Sequence, residues 1–147
     1  MVNTTVTSVP TIKTIEDEGE CMIIIGHPWI ESHRFCKVFS EEDIKRSEPN
    51  DIVLLEPLID SIALAQYCQQ NTIACAIPAN NLKEALFANA LGAAYIVCKE
   101  EEASLIQPVA QEYLFDSKVL VLIHDEKEMV KIARSGIDGV LFAEAIC

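Results

Sequence analysis

Basic residues are scarce in this chain. Against 23 Asp and Glu its 147 residues carry only 11 Lys and Arg, a net charge of -12 at pH 7. Nucleic acids and anionic membrane surfaces select for Lys and Arg clusters, so the deficit argues against both as partners. Glycine is also short, at five residues. A dinucleotide site needs G-x-G-x-x-G directly after a strand, so that backbone can approach the pyrophosphate. The first apolar run leaves instead into Gly26-His27-Pro28-Trp29-Ile30-Glu31, one glycine where three are needed. No dinucleotide cofactor is signalled, and the cofactor stays unknown. The six cysteines, at 21, 36, 68, 75, 98 and 147, form no Cys-x-x-Cys pair. Neither a zinc ribbon nor a thioredoxin-type site is therefore indicated. Structural free thiols in a reducing cytoplasm are expected, with Cys75 and Cys98 acting as small hydrophobes inside apolar runs. There is no G-x-S-x-G nucleophile elbow. No basic-then-apolar leader opens the chain, and no apolar run approaches the ~18 residues of a membrane span. A cytoplasmic protein without membrane insertion is the expectation.

What the chain does have is apolar residues, which make up half of it. Met22-Ile23-Ile24-Ile25, Ile52-Val53-Leu54-Leu55 and Val119-Leu120-Val121-Leu122-Ile123 are continuous apolar runs. Such runs mark strands covered on both faces, as in parallel sheets. A repeat organises the pattern. Asn81, with Glu84 three residues on, caps a helix that stops at Gly92, and the strand Ala94–Val97 follows. Asp125 with Glu128, Gly136 and the strand Gly139–Phe142 repeat this arrangement, cap and glycine again eleven residues apart. Asp60 to Asn71 is a weaker copy, with Asn as the helix stop.

From Asp51 the pattern predicts strands over 51–56, 72–77, 94–98, 118–123 and 138–142. Helices are predicted near 61–70, 82–91, 103–114 and 126–135. Pro108 either starts the third of these helices late or kinks it. Residues 21–25 read as a strand, 37–39 as a short one, and Ser40 with Asp43 as the start of a short helix. Residues 1–20 read as an N-terminal arm, either flexible or exchanged as a strand with a neighbour, and 21–147 as a single α/β domain. Strands alternating with ten-residue helices imply parallel pairing with right-handed crossovers. The expected fold is an open parallel sheet of five or six strands with helices on both faces, Rossmann- or flavodoxin-like, built from about four βα repeats. A partial barrel is the alternative. The length is too short for a complete eight-stranded barrel of ~250 residues.

In open α/β sheets ligands bind beyond the carboxyl ends of the strands. That edge carries His27 and Trp29 after the first strand, Glu56 after 51–56 and Asn80 after 72–77. It also carries Lys99 after 94–98, His124 and Asp125 after 118–123, and Glu144 at the end. Of these, His27, Trp29, Glu56, Asn80, Lys99, His124 and Asp125 are the ligand-binding candidates. His27, Glu56 and His124 are the candidate metal ligands, because imidazole and carboxylate together suit divalent metals or an acid–base pair. Capping alone accounts equally for Asp60, Asn81 and Asp125. Trp29 offers a stacking face.

Residues 51–114 resemble the later half of the nucleotide-binding domain of TrkA-type regulators of potassium conductance. The resemblance rests on Asp51-Ile52-Val53-Leu54-Leu55, the helix Asp60–Gln70, the strand Ile73–Ile77 and Leu91-Gly92-Ala93-Ala94-Tyr95-Ile96-Val97. It implies a Rossmann-like fold and a tendency to dimerise. With the glycine-rich turn absent after Ile25, it implies no cofactor residues. The closing unit Lys118–Ala145 resembles a late strand–helix–strand of phosphate-binding barrels, through Gly136-Ile137-Asp138-Gly139-Val140. The leading functional expectation is a non-catalytic ligand-binding or regulatory module, homodimeric, taking a small polar ligand or a protein partner. The alternative is a small enzyme or metal-binding protein using the strand-end His and carboxylate residues.

Overall fold

The computed structural model describes residues 21–147; the expected arm over 1–20 lies outside them. Seven strands form one all-parallel sheet: β1 (Ile23–Ile25), β2 (Phe35–Lys37), β3 (Ile52–Leu54), β4 (Cys75–Pro78), β5 (Tyr95–Cys98), β6 (Lys118–Ile123) and β7 (Gly139–Phe142). Five helices accompany them: α1 (Glu41–Arg46), α2 (Leu58–Gln70), α3 (Leu82–Ala90), α4 (Glu100–Glu112) and α5 (Met129–Arg134).

The parallel α/β expectation holds; the open, five- or six-stranded sheet does not. Spatial order is β1-β7-β6-β5-β4-β3-β2, the chain order taken cyclically, with β1 and β2 at the two edges. A doubly wound sheet reverses its strand order at a switch point, and this one never reverses. The sheet curls instead. Strands lie about 4.8 Å apart, so β2 and β5, three places apart, would be about 14 Å apart in a flat sheet. The rings of Phe35 on β2 and Tyr95 on β5 are 5.3 Å apart between centroids. Beyond β7, Ile146 bridges in parallel to Phe35 on the opposite edge. The result is a barrel-like curl with a seam between β1 and β2.

Helices therefore cover one face, not two. Alternate strand residues (Val53, Ile77, Ile96, Val121, Val140) point outward into a core shared with Leu58, Ala65, Ala85, Ala88, Ile106 and Ile132 of the helices. The others (Ile25, Phe35, Leu54, Ala76, Val97, Leu120, Leu141) meet inside the curl in a cluster without any residue of α1–α5. Both arrangements bury both faces of each strand, so both yield continuous apolar runs. Composition could not separate them.

The local signals are mostly in place. Asn81 accepts from the Glu84 N–H at 2.9 Å, and the Asn80 N–H donates to the Glu84 side chain at 2.8 Å. In the second copy the His124 N–H likewise donates to Glu128, at 3.4 Å. Gly92 and Gly136 stop their helices at φ 84° and 74°. In that second copy Glu126–Glu128 forms a 3-10 turn before α5. The weak copy departs furthest. Helix α2 starts at Leu58 after Pro57, not after Asp60, and the left-handed residue is Thr72 (φ 56°), not Asn71. Ser61 explains the displaced start: its backbone leaves the helical region while its hydroxyl donates to the Glu56 carbonyl at 2.8 Å. Strand β2 lies two residues before the expected 37–39, because Phe35 belongs to the inner cluster. Helix α4 begins at Glu100 and runs through Pro108.

Gly139 is where β7 passes closest to β1, because a Cβ there would overlap the carbonyl oxygen of Ile23. Gly139→Ala should destabilise the protein by about 1–3 kcal/mol through overpacking, read as a lower urea midpoint. Leu114 ends α4 with φ 53° and is 83% exposed. A left-handed residue other than glycine costs roughly 1–2 kcal/mol, so Leu114→Gly should raise the melting temperature.

Candidate functional site

The carboxyl end of the sheet carries a cleft of about 470 Å³. Three neighbouring strands build it: residues 26–29 follow β1, residues 124–126 follow β6, and Phe142 and Glu144 come from the end of β7. Gly26 begins the first of these loops at φ 99°, where a Cβ would lie 2.8 Å from that of Ala145. Its own N–H donates to the Ser32 hydroxyl at 3.0 Å, tying the loop down.

His27 is the centre of the cleft. Its Nδ1 receives the backbone N–H of Trp29 at 3.1 Å, and its Nε2 lies 2.8 Å from a Glu126 carboxylate oxygen. A backbone N–H can only donate, so Nδ1 must offer its lone pair. The proton is on Nε2, which donates to Glu126. Edge contacts with Trp29 (5.1 Å) and Phe142 (5.5 Å) fix the ring plane. The His27 side chain is 13% exposed while that of Glu126 is 67% exposed. Trp29, anchored at its backbone by the same imidazole, presents its indole to solvent at 87% exposure.

Four of the seven candidates from the sequence meet here: His27, Trp29, His124 and Asp125. Asp125 has its capping role as well, accepting from the Lys127 N–H at 2.9 Å. Glu56, Asn80 and Lys99 sit at the ends of β3, β4 and β5 and are not part of the cleft. The trio His27, Glu56 and His124 is not assembled, and among the described residues no group of three His, Cys, Asp or Glu could hold a metal ion. In the curl, Glu56 follows β3 whereas His27 follows β1, and β2 lies at the edge beyond β3. Glu126 is the partner that periodicity did not single out. It is one of many carboxylates on this edge in the sequence, and only the pairing of β1 with β7, next to β6, brings it to His27.

Asp138, in the segment that resembles phosphate-binding barrels, is at the opposite end. Its carboxylate accepts from the Val119 N–H at 2.9 Å, and its N–H donates to the buried Gln107 side chain at 3.0 Å. It sets the register of β6 and β7.

The cysteines divide sharply. Cys68, Cys75 and Cys98 are buried, and Cys21 is exposed. Burial, with Glu102 adding to it, pushes the Cys98 thiol up to about 12, and its sulfur donates to the Leu120 carbonyl at 3.7 Å. Cys75 is also raised, first by its contact with Cys68 and then by burial. Cys36 and Cys147, expected as free thiols, are joined in a disulfide. The sequence separation of 111 residues hid this pair, which the curl of the sheet brings together.

The sequence gives no match to known protein families or to curated proteins. Among the described residues no helix is long and apolar enough to cross a membrane.

Thiolate is the reactive form of cysteine. Iodoacetamide at pH 8 should therefore label Cys21 in the native protein and leave Cys98 and Cys75 unmodified, as read by intact and peptide mass. Rapid native labelling of Cys98 would contradict its burial at the end of β5.

Proposed function

We propose that the chain is a non-catalytic ligand-binding module whose binding site is the cleft around His27, and that its ligand is a small organic cation. The carrying observation is the exposed indole of Trp29 beside three carboxylates, Asp125, Glu126 and Glu144. An indole face attracts cations through its quadrupole, and carboxylates supply charge-assisted hydrogen bonds to an ammonium or guanidinium. The cleft volume lies within the roughly 300–1,000 Å³ of small-molecule sites. Phosphate-bearing ligands fit poorly, because this edge would repel them.

The non-catalytic reading is supported by His27 itself. A general base needs a free lone pair, and Nδ1 spends its own on the Trp29 N–H. Protonation at Nδ1 would set two donors against each other. The imidazole acts here as a brace that holds the indole and Glu126 in place.

The homodimer and the cytoplasmic setting belong to the same reading. Apolar side chains left exposed on the helices, Ile59 on α2, Phe87 on α3 and Leu105 on α4, support association through the outer face. The TrkA-type resemblance of residues 51–114 points to the same tendency.

Trp29 is the sole tryptophan, so its fluorescence reports on the cleft directly. Titration with choline, arginine and spermidine should give a saturable change for at least one of them, and inorganic phosphate none. Glu144→Gln should weaken that binding about tenfold, the worth of one charge-assisted contact. Flat titrations with all three cations, together with a native mass equal to the bare chain, would sink the proposal. The same native spectrum reads the dimer.

A further inference from the structure

Among the described residues, the seam between β1 and β2 is where the curled sheet lacks a strand-to-strand ladder. A short piece of chain spans it. After β7, residues 143–145 turn across the mouth, with Ala145 packed at Gly26. Ile146–Cys147 then lies along β2: the Cys147 N–H donates to the Phe35 carbonyl at 2.8 Å, and the Lys37 N–H donates to the Cys147 carbonyl at 3.0 Å. Two backbone hydrogen bonds hold this segment to the strand. The Cys36–Cys147 disulfide, with its Cα atoms 4.7 Å apart, joins the same two pieces covalently.

We propose that this disulfide is a reversible redox latch on the seam. Its position supports exchange. Cys147 is exposed and Cys36 half-buried, whereas Cys68, Cys75 and Cys98 are buried. Both redox states are also accommodated. Cys36 Sγ lies 3.5 Å from Asp51 Oδ2, which Arg34 approaches at 3.3 Å. The disulfide sulfur has no proton to give, but the reduced thiol would donate to that carboxylate. In a reducing compartment the disulfides that do form are usually transient and redox-sensing.

The exchange is a two-electron step. A low-molecular-weight thiolate attacks Cys147 Sγ, the protein S–S bond breaks, and Cys36 leaves as thiolate and takes up a proton. A second external thiolate attacks the mixed disulfide, releasing Cys147 as a thiol and the reductant as its own disulfide. Closure is the reverse, with a low-molecular-weight disulfide as oxidant. Once the covalent tie is gone, Ile146–Cys147 is held to β2 by its two backbone hydrogen bonds and by the packing of Ile146 on the inner cluster, and frays from β2 more readily.

Hydrogen exchange of the full chain, oxidised with glutathione disulfide or reduced with dithiothreitol, tests the latch. Reduction should speed exchange at least tenfold in peptides covering 35–37 and 143–147, leave 118–123 unchanged, and reverse on reoxidation. Cys147→Ser and Cys36→Ser should each show the reduced pattern under both conditions. Identical exchange in the two states would overturn the proposal. So would acceleration in every strand, which would make the bond a global staple, or failure of the pair to interconvert across a range of glutathione redox ratios.

Discussion

A parallel sheet must bury both of its faces, and among the described residues helices cover only one. Every connection from β2 onward places its helix on the outer side, so the inner row of apolar side chains has only itself to pack against. Curling satisfies that requirement. It brings Phe35 against Tyr95 across the interior and sets Ala76 among larger neighbours such as Leu54 and Val97. The strands are only three or four residues long outside β6, so the interior is shallow. That economy lets seven strands curl within 127 residues, where a full eight-stranded barrel uses about 250.

Strand order decides which strand ends can cooperate. Pairing places β1 beside β7 and β7 beside β6, so that loops distant in the chain converge: residues 26–29, 124–126 and 142–144. The cleft sits over those three strands. Its polarity follows from local chemistry at the same edge. Asp125 and Glu126 are placed at the start of a helical segment by capping, and that placement positions the carboxylate which His27 then engages.

Local structure was legible in the sequence because it is governed by near neighbours. Asn81 and Asp125 cap, Gly92 and Gly136 stop, and the Glu three residues after each cap reaches back to the preceding residue. The extent of β6 matches the expected strand 118–123 residue for residue. Where Asp60 misled, a competing local bond prevailed, the Ser61 hydroxyl on the Glu56 carbonyl. The path of the sheet was not legible, because a doubly covered strand looks the same in a layered fold and in a curl. The site was half legible for that reason. A rule about strand ends found His27, Trp29, His124 and Asp125, while Glu56, Asn80 and Lys99 satisfy the same rule on the wrong strands. The pairs Cys36–Cys147 and His27–Glu126 depend on contacts about a hundred residues apart, which no local periodicity encodes.

Cleft and seam are adjacent in the chain as well as in space. Phe142 and Glu144 line the cleft, and Ile146 and Cys147 lie on β2, so a single six-residue stretch serves both. Gly26 lies beneath that stretch, with no room for a side chain between it and Ala145. A rigid-body shift of residues 143–147 therefore has little slack to absorb before it reaches Glu144 or the backbone before His27. Local opening is cheapest where few backbone hydrogen bonds must break, and two hold the distal end of this stretch to β2. The most weakly paired piece of the curl thus abuts its most chemically furnished one. Any ligand that contacts Glu144 and any reagent that reaches Cys147 act on the same short segment from its two ends.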